Sequence, residues 1–263
     1  FVAMAVTRIT ALTFILAVFY VCGSTNAAPN GRILEGNDAA AGAYPWVVSV
    51  RVDNSHVAVG NIIDASHIIT SGHVVSELGS RAIAVSRVSV RVGSINQYAG
   101  GQIVNVESIN IHPSYGNFLN DVAIIRLQKP LTFSAKIAAI ALATAEDNES
   151  LVEGTEVAVA GWGLQLSGAS PYKLQQATLK VLSSHECEYQ AGYGYDSVLC
   201  LEHGVNQGIA RGDDGAGVVV NKKLVGVASF FFGAGGTKFP DVSSRVSYYS
   251  NWIAETIAAS NDA

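Results

Sequence analysis

From residue 47 onward the chain is built of short apolar, largely β-branched runs, at 47–52, 61–70, 87–92, 103–111, 121–127, 156–160, 176–182, 217–220 and 224–231, separated by Gly, Asn, Ser and Pro. Runs of this length and spacing predict the strands of an antiparallel barrel or sandwich. β-Branched side chains pack well on a pleated sheet, and turn residues reverse the chain between strands. The pattern changes only near the end, where Tyr249, Trp252, Ile253 and Ile257 recur close to helical spacing. An amphipathic helix is predicted over 248–259, and no clear helical segment precedes it. The polar stretch 143–154 is the best candidate for a link between two halves of the fold.

One apolar run lies outside this scheme. Residues 9–23 follow Arg8 and lead into small and polar residues up to Ala28, which is the order of a secretory signal peptide. The run is short for a bilayer span, which needs about 20 apolar residues. Residues 1–27 are therefore expected to be a signal peptide with Met4 as initiator, 28–32 a short propeptide, and 33–263 the folded domain.

Secretion sets how the cysteines are read. Cys22 leaves with the signal, and in an oxidising compartment Cys187 and Cys200 are expected to pair, two buried free thiols being the alternative. Asn148-Glu149-Ser150 is a glycosylation sequon. With 263 residues, 49% hydrophobic and 14% charged, a sizeable core is possible without further cross-links. The formal charge is -5 and no Lys/Arg run occurs. Without a positive patch to neutralise phosphates, neither a nucleic acid nor a membrane is expected as partner.

Five motifs then occur in a fixed order: Arg32-Ile33-Leu34-Glu35-Gly36 with Tyr44-Pro45-Trp46; Thr70-Ser71-Gly72-His73; Asn120-Asp121-Val122-Ala123-Ile124; Gly161-Trp162-Gly163; and Gly212-Asp213-Asp214-Gly215. The ordered set resembles the trypsin/chymotrypsin family of serine proteases from Ile33 to about Ala259. That resemblance implies an all-β fold of two six-stranded antiparallel β-barrels with a C-terminal helix, and no cofactor or metal.

The family needs these parts because a serine hydroxyl attacks a peptide only once an imidazole takes its proton, while a buried carboxylate holds the imidazole. His73 and Asp121 match the base and the orienting acid. The nucleophile position holds Asp214, and no serine lies between Ser197 and Ser229. A carboxylate is a poor peptide nucleophile, and its charge sits where the reaction builds an oxyanion. Asp214 is expected near the His73 imidazole and the Gly212 amide of the oxyanion loop, as a charge pair that closes the site.

Other positions depart from the family as well. Two of its disulfides have lost both halves, at Ala58 with Val74 and at Ala210 with Ala234. In the specificity pocket Gly208 stands at the floor and Asp241 on the wall, an exchange similar to crustacean collagenases. Phe231 replaces an entrance glycine, and a narrowed or filled pocket is expected. The activation device looks intact: Arg32 and Ile33 match the cleavage site, and Asp213 matches the carboxylate that receives the freed Ile33 amine.

The resemblance thus implies a secreted noncatalytic homologue, similar to insect members without a clip domain, that binds proteins of a secreted protease cascade. A hydrolase with residual activity or an unrecognised nucleophile is one alternative. A peptide-binding gut or glandular protein is another.

Overall fold

A computed structural model describes residues 36–261. The predicted signal peptide and propeptide, and with them Arg32 and Ile33, lie outside the described residues. In chain order the strands are β1 (Asn37–Asp38), β2 (Val47–Val52), β3 (Ser55–Ile62), β4 (His67–Thr70), β5 (Ser76–Leu78), β6 (Arg81–Ala82), β7 (Val88–Val92), β8 (Gln102–Ile111) and β9 (Ala123–Leu127). The second half carries β10 (Ala141–Leu142), β11 (Glu156–Gly161), β12 (Gln175–Val181), helix α1 (Ser184–Ala191), β13 (Val198–Glu202), β14 (Gly217–Val220), β15 (Lys223–Phe230), β16 (Asp241–Arg245) and helix α2 (Ser250–Asn261).

Two closed six-stranded barrels result. The first runs β2-β3-β4-β9-β8-β7. The second runs β12-β11-β14-β15-β16-β13, and the β12–β13 pairing closes the ring, with β1 and β10 attached at its edges. Pairing within both rings is antiparallel; the short β10 runs parallel to β15. Alternation along each strand fills the barrels. Val48, Val50, Ile68, Val90 and Ile125 pack inside the first, and Val157, Val159, Leu199, Leu201 and Val218 inside the second. Full burial of each such side chain contributes about 1.5–3 kcal/mol. A further cluster joins Ile69, Ile124, Leu224 and Val227 to Tyr249 and Ile253, so the C-terminal helix seals the join between the barrels.

Local chemistry corrects several sequence expectations. The run at 61–70 is two strands, because Asp64 Oδ1 accepts the amides of Ser66 (2.7 Å) and His67 (2.9 Å) and folds the chain between them. β3 begins earlier than its apolar run, directly after Asp53 and Asn54, both at positive φ (50° and 67°) in a tight hairpin turn. Helix α1 was not expected. Ser183 caps it by accepting the Glu186 amide at 3.3 Å, and Gly192 ends it at φ 76°. Its one buried residue is Cys187, so it carries no apolar stripe to read.

Candidate functional site

The cleft between the barrels is assembled from loops that the strands hold in place. His73 begins a one-turn 3-10 segment after β4, and Asp121 precedes β9, fully buried. Asp121 Oδ1 accepts the His73 amide at 2.7 Å, and Oδ2 lies 2.8 Å from His73 Nδ1. Ser229 also donates to Oδ2. With Nδ1–H given to Asp121, Nε2 faces the second barrel.

What Nε2 meets there is Asp214, with Oδ1 at 3.5 Å. The other oxygen, Oδ2, accepts the Gly212 amide at 3.2 Å. One carboxylate therefore spans from the imidazole to the Gly212 amide. Burial alone would push the His73 imidazole down, but hydrogen bonds and charge from Asp121 and Asp214 lift it to about 10. At neutral pH His73 is therefore an imidazolium lying between Asp121 and Asp214. A cation has no lone pair with which to take a proton, and a carboxylate has no proton to give.

The loop bearing Asp214 is seated on the first barrel. Val59 donates its amide to Asp214 O at 2.8 Å, and Asn61 Nδ2 donates to Gly215 O at 3.0 Å. Gly215 has φ 80°, and a Cβ there would lie 2.2 Å from both Thr70 Oγ1 and Val59 O. Only glycine lets the two barrels approach this closely.

His56 carries a role that the sequence hid. Its Nε2 bonds Gly212 O at 3.0 Å and its Nδ1 bonds Ser49 Oγ at 2.8 Å, while its ring packs edge-on against Trp162. Burial lowers it to about 4, outweighing the Gly212 carbonyl and the Asp214 charge. It is a neutral strut that holds the Gly212 loop by Nε2–H.

Asp213 is fully buried and accepts from Gly163 N at 2.7 Å and Ala210 N at 3.2 Å. Burial pushes its carboxyl up to about 7, although the two amides pull it down. A Cβ on Gly161 or Gly163 would lie 2.1 or 2.0 Å from its oxygens, so the Gly-Trp-Gly motif is the cradle of this carboxylate.

At the expected pocket, Asp241, Gly208 and Phe231 each pack against other protein groups. Asp241 Oδ2 accepts the Ile209 amide at 2.6 Å, and Oδ1 lies 3.4 Å from His203 Nε2, with both side chains almost wholly buried. Burial alone would lower His203, and the Asp241 carboxylate reverses that into a rise. Gly208, at φ 101°, abuts this pair: a Cβ there would lie 2.5 Å from Asp241 Oδ2 and 2.6 Å from His203 Cδ2. Phe231 is half-buried and packs against the core of the second barrel. Beside it Phe230 packs at a tilt against Phe118 and edge-on against Tyr193, and Phe118 reaches the His73 ring.

Cys187 and Cys200 form a disulfide that ties α1 to β13. Ala58 and Ala210 are fully buried, and Val74 packs on the first barrel's core. Asn148 is half-buried in a 3-10 turn and accepts from Ser247 Oγ at 2.8 Å. Among the described residues no cluster of His, Cys, Asp or Glu could hold a metal ion, and no helix is long and apolar enough to cross a membrane.

Twin barrels with a His–Asp pair at their junction define a trypsin-like serine protease scaffold. The model of the Trypsin family matches residues 33–253, and the chain belongs to that family. It is 32% identical to "Trypsin alpha" of Drosophila melanogaster over 236 residues, covering 86% of this chain and 88% of the relative. It is 33% identical to "Trypsin iota" of the same species over 252 residues, covering 93% and 96%. The solved structure of neuropsin, a serine protease expressed in the limbic system of mouse brain, superposes with a TM-score of 0.75 at 22% identity. That match spans 85% of this chain and 99% of neuropsin, and it shows the fold.

Proposed function

We propose that this trypsin-family protein hydrolyses no peptides and acts by binding other proteins, as a modulator of a secreted proteolytic or innate immune cascade. The observation that carries the reading is the Asp214 carboxylate, which reaches both His73 Nε2 (3.5 Å) and the Gly212 amide (3.2 Å). It sits where the family's mechanism needs a nucleophile and where the oxyanion would form. The surroundings of Asp241 support the same reading, since its buried carboxyl accepts the Ile209 amide at 2.6 Å and lies 3.4 Å from His203 Nε2. The relatives named trypsins carry that activity in their own names only.

Binding is expected to respond to cleavage after Arg32. The freed Ile33 amine would enter the Asp213 cradle, because a buried carboxylate at about 7 gains most from a cationic partner. Affinity capture from haemolymph-like fluid, with cut and uncut protein as baits, tests the reading. Specific partners that differ between the two forms are expected. Identical and empty partner sets would overturn it.

A further inference from the structure

A second Ser–His–Asp constellation stands outside the cleft, where α2 packs on the first barrel. Asp64 Oδ2 lies 2.8 Å from His67 Nδ1, and Oδ1 lies 2.9 Å from the same atom. Asp64 Oδ1 also accepts the amides of Ser66 and His67, so the carboxylate is fixed and stays an acceptor. The far side of the ring meets α2: His67 Nε2 is 2.7 Å from Ser260 Oγ. His67 is 1% exposed, which locks the ring. Ser260 donates its hydroxyl proton to the Ile257 carbonyl at 2.7 Å, while the same Oγ lies 2.7 Å from His67 Nε2, so that proton has a second acceptor within reach once Nδ1–H is given to Asp64.

Ser260 lies on an open groove of about 510 Å³ between β8, β9 and α2, lined also by Glu107, Asn110, Arg126, Trp252 and Glu255. Arg126 pairs with His67 across the β4–β9 ladder. Its Nε lies 3.3 Å from Glu107, which shares the groove wall with it. The parts of an acyl-transfer site are thus together: a hydroxyl, a base on it, a carboxylate behind the base, and a cation beside the groove for a developing oxyanion.

We propose that Ser260 is an activated nucleophile that takes acyl or phosphonyl groups from small esters, with His67 as its base and Asp64 as the positioning residue. The Ser260 proton passes to His67 Nε2 as Oγ bonds the carbonyl carbon. The ester C–O bond then breaks, and the leaving alkoxide takes the proton back from Nε2. Water repeats the sequence to release the acid. This goes beyond the reading of the cleft and does not depend on it.

Labelling of the folded chain with a small fluorophosphonate, followed by peptide mass mapping, tests the assignment, since position 260 is distinguished from every residue of the cleft. An adduct on Ser260 is expected, absent from heat-denatured protein and slowed at least tenfold by His67→Gln. Asp64→Asn, at a side chain 41% exposed, is the milder variant should His67→Gln fail to fold, and it is expected to slow labelling too. No adduct on Ser260 in the wild-type chain, or labelling indifferent to both variants, would overturn the proposal.

Discussion

Replacing Asp214 with Asn removes one charge from the His73 site while keeping the size and one acceptor oxygen of the side chain. The two groups stand 3.5 Å apart with 24% and 16% of their side chains exposed. At an effective dielectric of about 20 two unit charges at that distance attract by about 5 kcal/mol, or roughly 3.5 pK units as an upper bound. Partial exposure screens this, so Asp214→Asn is expected to lower His73 by about 1–3 units from its value of about 10. The sign for stability follows from the same shift. His73 is raised above its ordinary 6.5, so its contribution is complete below pH 6.5 and is lost as pH rises through about 10. Asp214→Asn shrinks that window from the alkaline side. Two-dimensional NMR of the ring nitrogens gives the titration, and urea melts at pH 6, 8 and 10 give the stability. A His73 that titrates at the same pH in both proteins would refute the ion pair.

Three further outcomes follow from the geometry around it. Gly163→Ala drives a Cβ to within 2.0 Å of Asp213 Oδ2, and a loss of about 3 kcal/mol or failure to fold is expected in urea denaturation. His203→Ala removes the imidazole that stands 3.4 Å from the buried Asp241 carboxyl, a cost of about 1–3 kcal/mol; the double variant with Asp241→Asn is expected to recover part of it, read by thermal melting. Ile253→Ala empties a fully packed position between α2 and the barrels and is expected to cost about 2–5 kcal/mol in chemical denaturation.

The strands whose apolar faces look into the barrels were legible in the sequence, as were the motifs that gather His73, Asp121 and Asp214, because both signals are local. Strand β16 was not. Its sequence DVSSR puts Ser243, Ser244 and Asp241 inside, and burying polar residues is tolerable only through partners that no local pattern reveals. Ser244 bonds the Asp121 carbonyl more than a hundred residues away, and His56 bonds Gly212 across a similar gap. His203 was equally silent, since its role depends on Asp241 meeting it through the fold. Gly161 and Gly163 were recognised as a motif, but their reason, the space taken by Asp213, is visible only in three dimensions.

The central claim is that the cleft carries no peptide hydrolysis because Asp214 occupies it. The most direct measurement is turnover of a peptide-anilide panel by the protein, before and after cleavage at Arg32, together with mass-mapped phosphonate labelling of the cleft. Asp214→Ser is assayed alongside. The wild-type chain is expected to show no turnover and no adduct in the cleft, while Asp214→Ser, with a hydroxyl restored beside His73, is expected to gain an adduct at position 214. Peptide turnover by the wild-type chain that disappears in His73→Ala would contradict the account.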